Sequence, residues 1–251
     1  MSEKDVFFEM VKKWTISDYH TQAIKSEVII DMLISEFVEE MIASKIVDCS
    51  LNDVKLLAKE FPIDNCIRDK KSGKENLRNN KVDFLVSGKN NLYLVELKTS
   101  EESNSDKQKK CMSNAVRKGA RETLNFFFKI IDEKIKTRSD IQSMKYFYTL
   151  DKMKEKYYGT EKEASKRSYA QFKDDILNTY SGGEMKIVYI ELTKPKDESF
   201  LKDVSAIILK DLDGKEKFKA LLKEKGKEEN WNLVNQIIEA ISLPLENKFH
   251  K

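Results

Sequence analysis

Histidine is almost missing from this 251-residue chain: there are two, His20 and His250, near opposite ends. That disfavours Ser-His-Asp and Cys-His nucleophiles, zinc hydrolases with paired histidines, and histidine-metal nucleases. The three cysteines, Cys49, Cys66 and Cys111, form no CxxC pair, which argues against a disulfide framework or a zinc knuckle. Eight glycines and three prolines leave few positions with special backbone angles, so long helices and short connections are expected. No GxxxxGK[ST] or GxGxxG loop is present, and no run nears the roughly 20 apolar residues of a membrane span. The N-terminal MSEKDVFFEM lacks the cationic start and apolar run of a signal peptide. A cytoplasmic, reduced protein with no membrane partner is the expectation.

Charge is plentiful but balanced. Charged residues make up 35% and the net charge is +3, so charge alone does not argue for nucleic acid. Its location says more. Lys107, Lys109, Lys110, Arg117, Lys118 and Arg121 crowd one short segment, which reads as a solvated helix face able to meet a phosphate backbone. Lysine-rich stretches at 152–167 and 215–227 alternate with glutamate and read as exposed helix surface.

The apolar pattern predicts helix over 21–47, from Ile30, Leu33, Ile34, Phe37 and Met41, and a short helix over 51–60 stopped by Pro62. Phe61–Arg68 reads as a strand. Val82–Val86 and Leu92–Leu97 are apolar runs flanking Ser-Gly-Lys-Asn-Asn, a hairpin signal. Helix is expected from about 104 to 136, with Gly119 in its buried stripe letting it approach the sheet. KYFYTL (Lys145–Leu150) reads as a strand and 161–178 as helix. Met185–Leu192 reads as a buried strand, Ala206–Leu209 as an edge strand, and 215–225 and 229–242 as helices. The aromatics at 126–128 and 146–148 read as core. No repeat or linker divides the chain. The expectation is a single α/β domain over 1–251, its core about 25–195, with a C-terminal helical extension at about 210–245.

Chemistry concentrates at the end of the second hairpin strand. Strand alternation puts Glu96 and Lys98 on one face. With Gly88–Asn91 as the loop, residue i opposes 179 minus i, so Phe84 faces Val95 and Asp83 faces Glu96, roughly 5 Å apart at the β-carbons. A slip of one residue would turn Asp83 to the wrong face. Two such carboxylates repel unless a cation lies between them, and oxygen ligands favour Mg²⁺ or Mn²⁺ over zinc. The Leu97 carbonyl is a further candidate ligand. Lys98 would reach the same spot and help hold or deprotonate an attacking water. The [DE]xK tripeptide alone means little here, because it recurs at Asp69–Lys71, Asp132–Lys134, Asp213–Lys215 and Glu246–Lys248. Only Glu96–Lys98 ends a buried strand whose hairpin partner carries an acid.

Val82-Asp83, followed thirteen residues on by Glu96-Leu97-Lys98, resembles the PD-(D/E)xK nuclease superfamily. YLVELKTSEESNSDKQ is similar to a branch in which ExK is followed by Thr, a Ser-containing loop and a helix bearing Gln. Val82 replaces the proline of the motif. Ser100 stands where that branch often has Asp, and Cys111 where it often has an aromatic. The resemblance covers about forty residues of 251. It implies a restriction-endonuclease-like central mixed β-sheet flanked by helices, with extra N- and C-terminal helices. It implies metal binding by Asp83 and Glu96, catalysis by Lys98, and orientation of that lysine or a phosphate contact by Gln108. It also implies a glutamate from the helix before the core, for which Glu40 is the choice and Glu36 and Glu39 are rivals. The expected activity is Mg²⁺- or Mn²⁺-dependent hydrolysis of phosphodiesters, with DNA as substrate; a homodimer would suit a double-strand cut. The competing readings are an inactive nuclease-like module that binds nucleic acid or a partner protein, and a structural protein whose charged face is incidental.

Overall fold

The computed structural model describes residues 26–45, 51–64, 80–98, 106–137, 141–192 and 205–242. The helix start at 21–25, the strand beyond Asp64, Ser100 in the loop after the ExK, Cys49, Cys66 and both histidines lie outside the described residues.

A five-stranded mixed sheet forms the centre, in the order β1-β2-β3-β4-β5. Its strands are β1 (Val54–Asp64), β2 (Asn80–Gly88), β3 (Asn91–Lys98), β4 (Met185–Glu191) and β5 (Ser205–Ile208). β1, β2 and β3 pair antiparallel, while β3, β4 and β5 pair parallel. β3 is central and buried on both faces, which explains its unbroken apolar run. The β3–β4 crossover is helical: α3 (Asp106–Lys118), α4 (Ala120–Thr137), α5 (Ile141–Tyr158), α6 (Glu161–Ser165) and α7 (Tyr169–Thr179). Leu85, Leu92, Leu94 and Tyr189 on one face of the sheet join a core with Met112, Ala115, Phe127, Phe128 and Phe172.

The other face is covered from both ends of the chain. α1 (Ser26–Ile34) and α2 (Val38–Lys45) come from the start; α8 (Leu209–Leu212), α9 (Glu216–Lys225) and α10 (Glu228–Ser242) come from the end. Phe84, Tyr93, Val95 and Ile190 pack there with Phe37, Met41, Phe218 and Trp231. The Trp231 ring meets Phe218 edge-on at 4.8 Å and Phe37 at 5.2 Å between centroids. The C-terminal helices therefore complete the core of the sheet's second face. Among the described residues, no helix is long and apolar enough to cross a membrane.

Four local expectations change. The helix read over 51–60 is strand β1, preceded by one 3-10 turn at Leu51–Asp53. Pro62 lies within β1, where an edge strand tolerates a missing N–H, and register shifts at Leu56/Ala58 and Pro62/Asp64 bend that edge. The strand read over KYFYTL lies inside α5. Alternation would put Tyr146 and Tyr148 on one face, yet Tyr148 is 65% exposed while Leu150 and Met153 are buried, a three-four spacing. The N-terminal helix is two helices, broken where Ser35 Oγ donates to the Met32 carbonyl at 2.8 Å and competes with the backbone ladder. Gly119 separates α3 from α4 at φ +87°, with nothing within 4 Å of a would-be β-carbon. Its role is the left-handed backbone, not a close approach to the sheet. A close approach does occur at Gly183, where a β-carbon would overlap the Asn90 carbonyl of the hairpin loop.

Trp231→Ala is expected to lower stability by about 3–5 kcal/mol, read by guanidinium denaturation as one shifted transition. An unchanged main transition with a separate early step would mean that the C-terminal helices fold apart from the sheet.

Candidate metal centre at a strand fork

β2 and β3 keep the expected register from Gly88–Asn91 to Phe84–Val95, and the backbone pairing ends there. Beyond Phe84, β2 continues against β1 as far as Asn80, so the two strands part like a fork. Asp83 stands at the parting. It meets β3 through its side chain: Oδ2 accepts the Leu97 N–H at 2.7 Å. In a sheet, the N–H and C=O of one residue leave on the same edge. The Lys98 carbonyl on the β4 side, accepting from Leu192 N at 3.1 Å, fits that alternation. The Leu97 carbonyl therefore opens onto the gap beside Asp83.

Glu96 and Lys98 project from β3 toward α3, as alternation requires. They are 5% and 3% exposed. Lys98 Nζ donates to Glu96 Oε1 at 3.2 Å and to Gln108 Oε1 at 2.8 Å. Gln108, in the first turn of α3, donates its Nε2 to the same Glu96 Oε1. Glu96 Oε2 is buried without a hydrogen-bond partner among the described residues. The amide thus holds both the lysine and one carboxylate oxygen and leaves the other oxygen unused. The Tyr189 ring lies 5.9 Å from Lys98 Nζ, and its hydroxyl donates to Met112 Sδ at 3.9 Å.

The structure does not bring Glu40 into this arrangement. Glu40 is 1% exposed, and its Oε1 pairs with Lys227 Nζ at 2.7 Å, from the turn between α9 and α10. Lys227 also donates to the Glu36 carbonyl at 2.6 Å. The rivals are engaged too: Glu39 Oε1 accepts the Leu56 N–H at 2.8 Å, and Glu36 Oε1 accepts from Asn230 at 3.4 Å. These acids hold the helices and β1 together. The N-terminal acid in the field of Asp83 is Asp31, on α1. Its Oδ1 is buried without a hydrogen-bond partner among the described residues, and its pKa is pushed up to about 7, first by burial and then by the Asp83 charge. Sequence did contain a signal for it. Asp31 is the one acid in the apolar run Val28–Ile34, and an acid in such a run needs a partner or an ion.

A second unforeseen acid is Glu191, at the end of β4 and in register with Lys98 on β3. It is 4% exposed, with Oε1 unpartnered among the described residues. Burial lifts its pKa to about 7 against the pull of Lys98. Glu96 is likewise pushed up to about 7, by burial first and by Asp83 second, while Lys98 and Gln108 pull it down. Burial also raises the Tyr189 hydroxyl, with Glu96 and Glu191 adding to the effect.

The oxygens able to hold a divalent cation are those of Asp83, Glu96 and the Leu97 carbonyl, with Asp31 approaching from α1. Among the described residues, no group of three or more His, Cys, Asp and Glu side chains is gathered tightly enough to form a ligand cluster by itself. The assembly is thus a two-carboxylate fork in which Glu96 Oε2 is without a hydrogen-bond partner among the described residues, and its like charges repel. No family model, curated protein or solved structure matches the chain.

The raised acids set a pH dependence. Between their ordinary values of 3.8 (Asp) or 4.5 (Glu) and about 7, the folded state keeps protons that the unfolded chain has released. Their contribution to stability therefore falls as pH rises through that window and stays unfavourable above it. Glu96→Gln and Asp31→Asn should raise the melting temperature of the metal-free protein at pH 8 and leave it nearly unchanged at pH 4. Thermal melts across this range check it; equal effects at both pH values would contradict it.

Proposed function

We propose that the protein is a Mg²⁺- or Mn²⁺-dependent nuclease that hydrolyses phosphodiesters in DNA, on a restriction-endonuclease-like version of the mixed sheet. One observation carries the reading. At the fork acids from two adjacent strands lie in each other's field: Asp83 accepts the Leu97 N–H, and Glu96 pairs with a buried lysine held by Gln108 while its Oε2 stays buried without a hydrogen-bond partner among the described residues. A structural ion pair would have no need for the second acid or the idle oxygen. Hard oxygen donors and no imidazole suit Mg²⁺ or Mn²⁺.

Asp83, Glu96 and the Leu97 carbonyl would hold the ion, with Asp31 adding negative charge. A bound divalent ion supplies Lewis-acid polarisation of a phosphoryl oxygen and lowers the pKa of coordinated water. Gln108 fixes the Lys98 ammonium where it can neutralise charge developing on the phosphate and orient the attacking water. The hydrogen bond from Leu97 N–H keeps Asp83 aimed into the fork. Lys110, Arg117, Lys118 and Arg121 are exposed on α3 and the start of α4, and offer the strand's phosphates a sequence-independent contact.

Incubation of supercoiled plasmid and labelled oligonucleotides with Mn²⁺ or Mg²⁺ tests the reading. Cleavage should require the ion and fall by about 100-fold or more in Lys98→Ala and in Asp83→Asn. DNA binding without cleavage in the wild type would instead favour a nuclease-like binding module, and cleavage that survives both variants would overturn the assignment of the site.

A further inference from the structure

Lys98 stands between two buried acids, and the proposed mechanism uses one of them. Glu96 lies on the same strand, two residues before it. Glu191 lies on the neighbouring parallel strand, directly in register with Lys98, a separation of about 4.8 Å between strand axes. Both acids are nine-tenths or more buried. The partners of Lys98 described above, Glu96 and Gln108, lie on β3 and α3; Glu191 Oε1 has no hydrogen-bond partner among the described residues. A buried carboxylate oxygen left without a partner is costly in the metal-free protein. It becomes useful once a second positive charge arrives. A divalent ion on Asp83 and Glu96 would repel the Lys98 ammonium and weaken its bond to Glu96, whose charge is then shared. A carboxylate on the far side of the lysine offsets that repulsion and retains the amine in place.

We propose that Glu191 is the positioning residue for Lys98 in the metal-loaded protein, holding the ammonium from β4 when the ion draws Glu96 away. The inference rests on the proposed metal-dependent reading of the site. Glu191 touches neither the ion nor the substrate. It acts through Lys98, as the outer partners of metal sites commonly do, and loss of such partners costs about 10- to 100-fold in metal affinity or activity.

The test is a Mn²⁺ titration of the full chain, followed by the electron paramagnetic resonance signal of free Mn²⁺. It compares wild type, Glu191→Gln, Glu191→Asp, Lys98→Met and the Lys98→Met/Glu191→Gln double variant, with circular dichroism confirming that each is folded. Glu191→Gln should weaken Mn²⁺ binding by about tenfold, and Glu191→Asp should recover most of it. In the Lys98→Met background, Glu191→Gln should change affinity by no more than about twofold, because the repulsion it offsets is gone. With an oligonucleotide substrate, Glu191→Gln should lower kcat and leave KM nearly unchanged. Equal losses with and without Lys98 would make Glu191 a direct ligand and overturn the positioning role, and no loss in either background would remove any role. A wild type that binds no Mn²⁺ would remove the metal-dependent reading and this role together, an outcome distinct from wild-type binding that is indifferent to Glu191.

Discussion

The hydrogen bond from the Leu97 N–H to Asp83 Oδ2, 2.7 Å long, is what the rest of the site depends on. Where β2 leaves β3 to follow β1, a main-chain N–H would be orphaned in a buried region, at a cost of about 1–3 kcal/mol. The Asp83 carboxylate takes the place of the missing backbone acceptor. One contact thereby ends the ladder, satisfies the N–H and fixes an acid at the mouth of the gap. The Leu97 carbonyl opens onto that gap for the same geometric reason. Glu96 and Lys98 follow from strand alternation, and Gln108 reaches them because α3 lies across that face of the sheet.

Charge burial is the second constraint. Asp31, Glu96 and Glu191 all carry raised pKa values, burial being the main cause of each, and Lys98 pairs with Glu96 among them. An unfavourable arrangement of this kind persists only if the surrounding structure over-determines it. Here two apolar cores do so, one on each face of the sheet. The C-terminal helices matter to the site for this reason. Trp231 and Phe218 close the face behind Phe84 and Val95, the last pair before the fork. The Glu40–Lys227 pair ties α2 to the turn between α9 and α10, and so helps to set where the N-terminal helices lie.

The parts legible in the sequence were those governed by local pattern. The hairpin loop set the β2–β3 register, and alternation then placed Glu96 and Lys98 together. β4 and β5 and the last two helices were legible from apolar periodicity. Tertiary context decided the rest. Residues 54–64 carry lysine and proline because they form an edge strand, and that composition imitates a helix with a stop. KYFYTL imitates a strand because its aromatics adjoin, although only the three-four spacing is buried. Among acids on one helical stretch, Glu40 looked best placed, but choosing between it and Asp31 requires knowing that Lys227, 187 positions later in sequence, folds back onto α2. Glu191 was hidden for a similar reason: its link to Lys98 exists only through the parallel pairing of β3 with β4.

In the proposed function the fork grips a divalent cation between acids of two strands. Diffraction from crystals soaked in Mn²⁺, recorded for its anomalous signal, tests it most directly. The expected result is a peak bounded by the carboxylates of Asp83 and Glu96 and the Leu97 carbonyl, with Lys98 at its side. A fork without such a peak, or one closed by an ion pair with Mn²⁺ bound elsewhere on the surface, would contradict it.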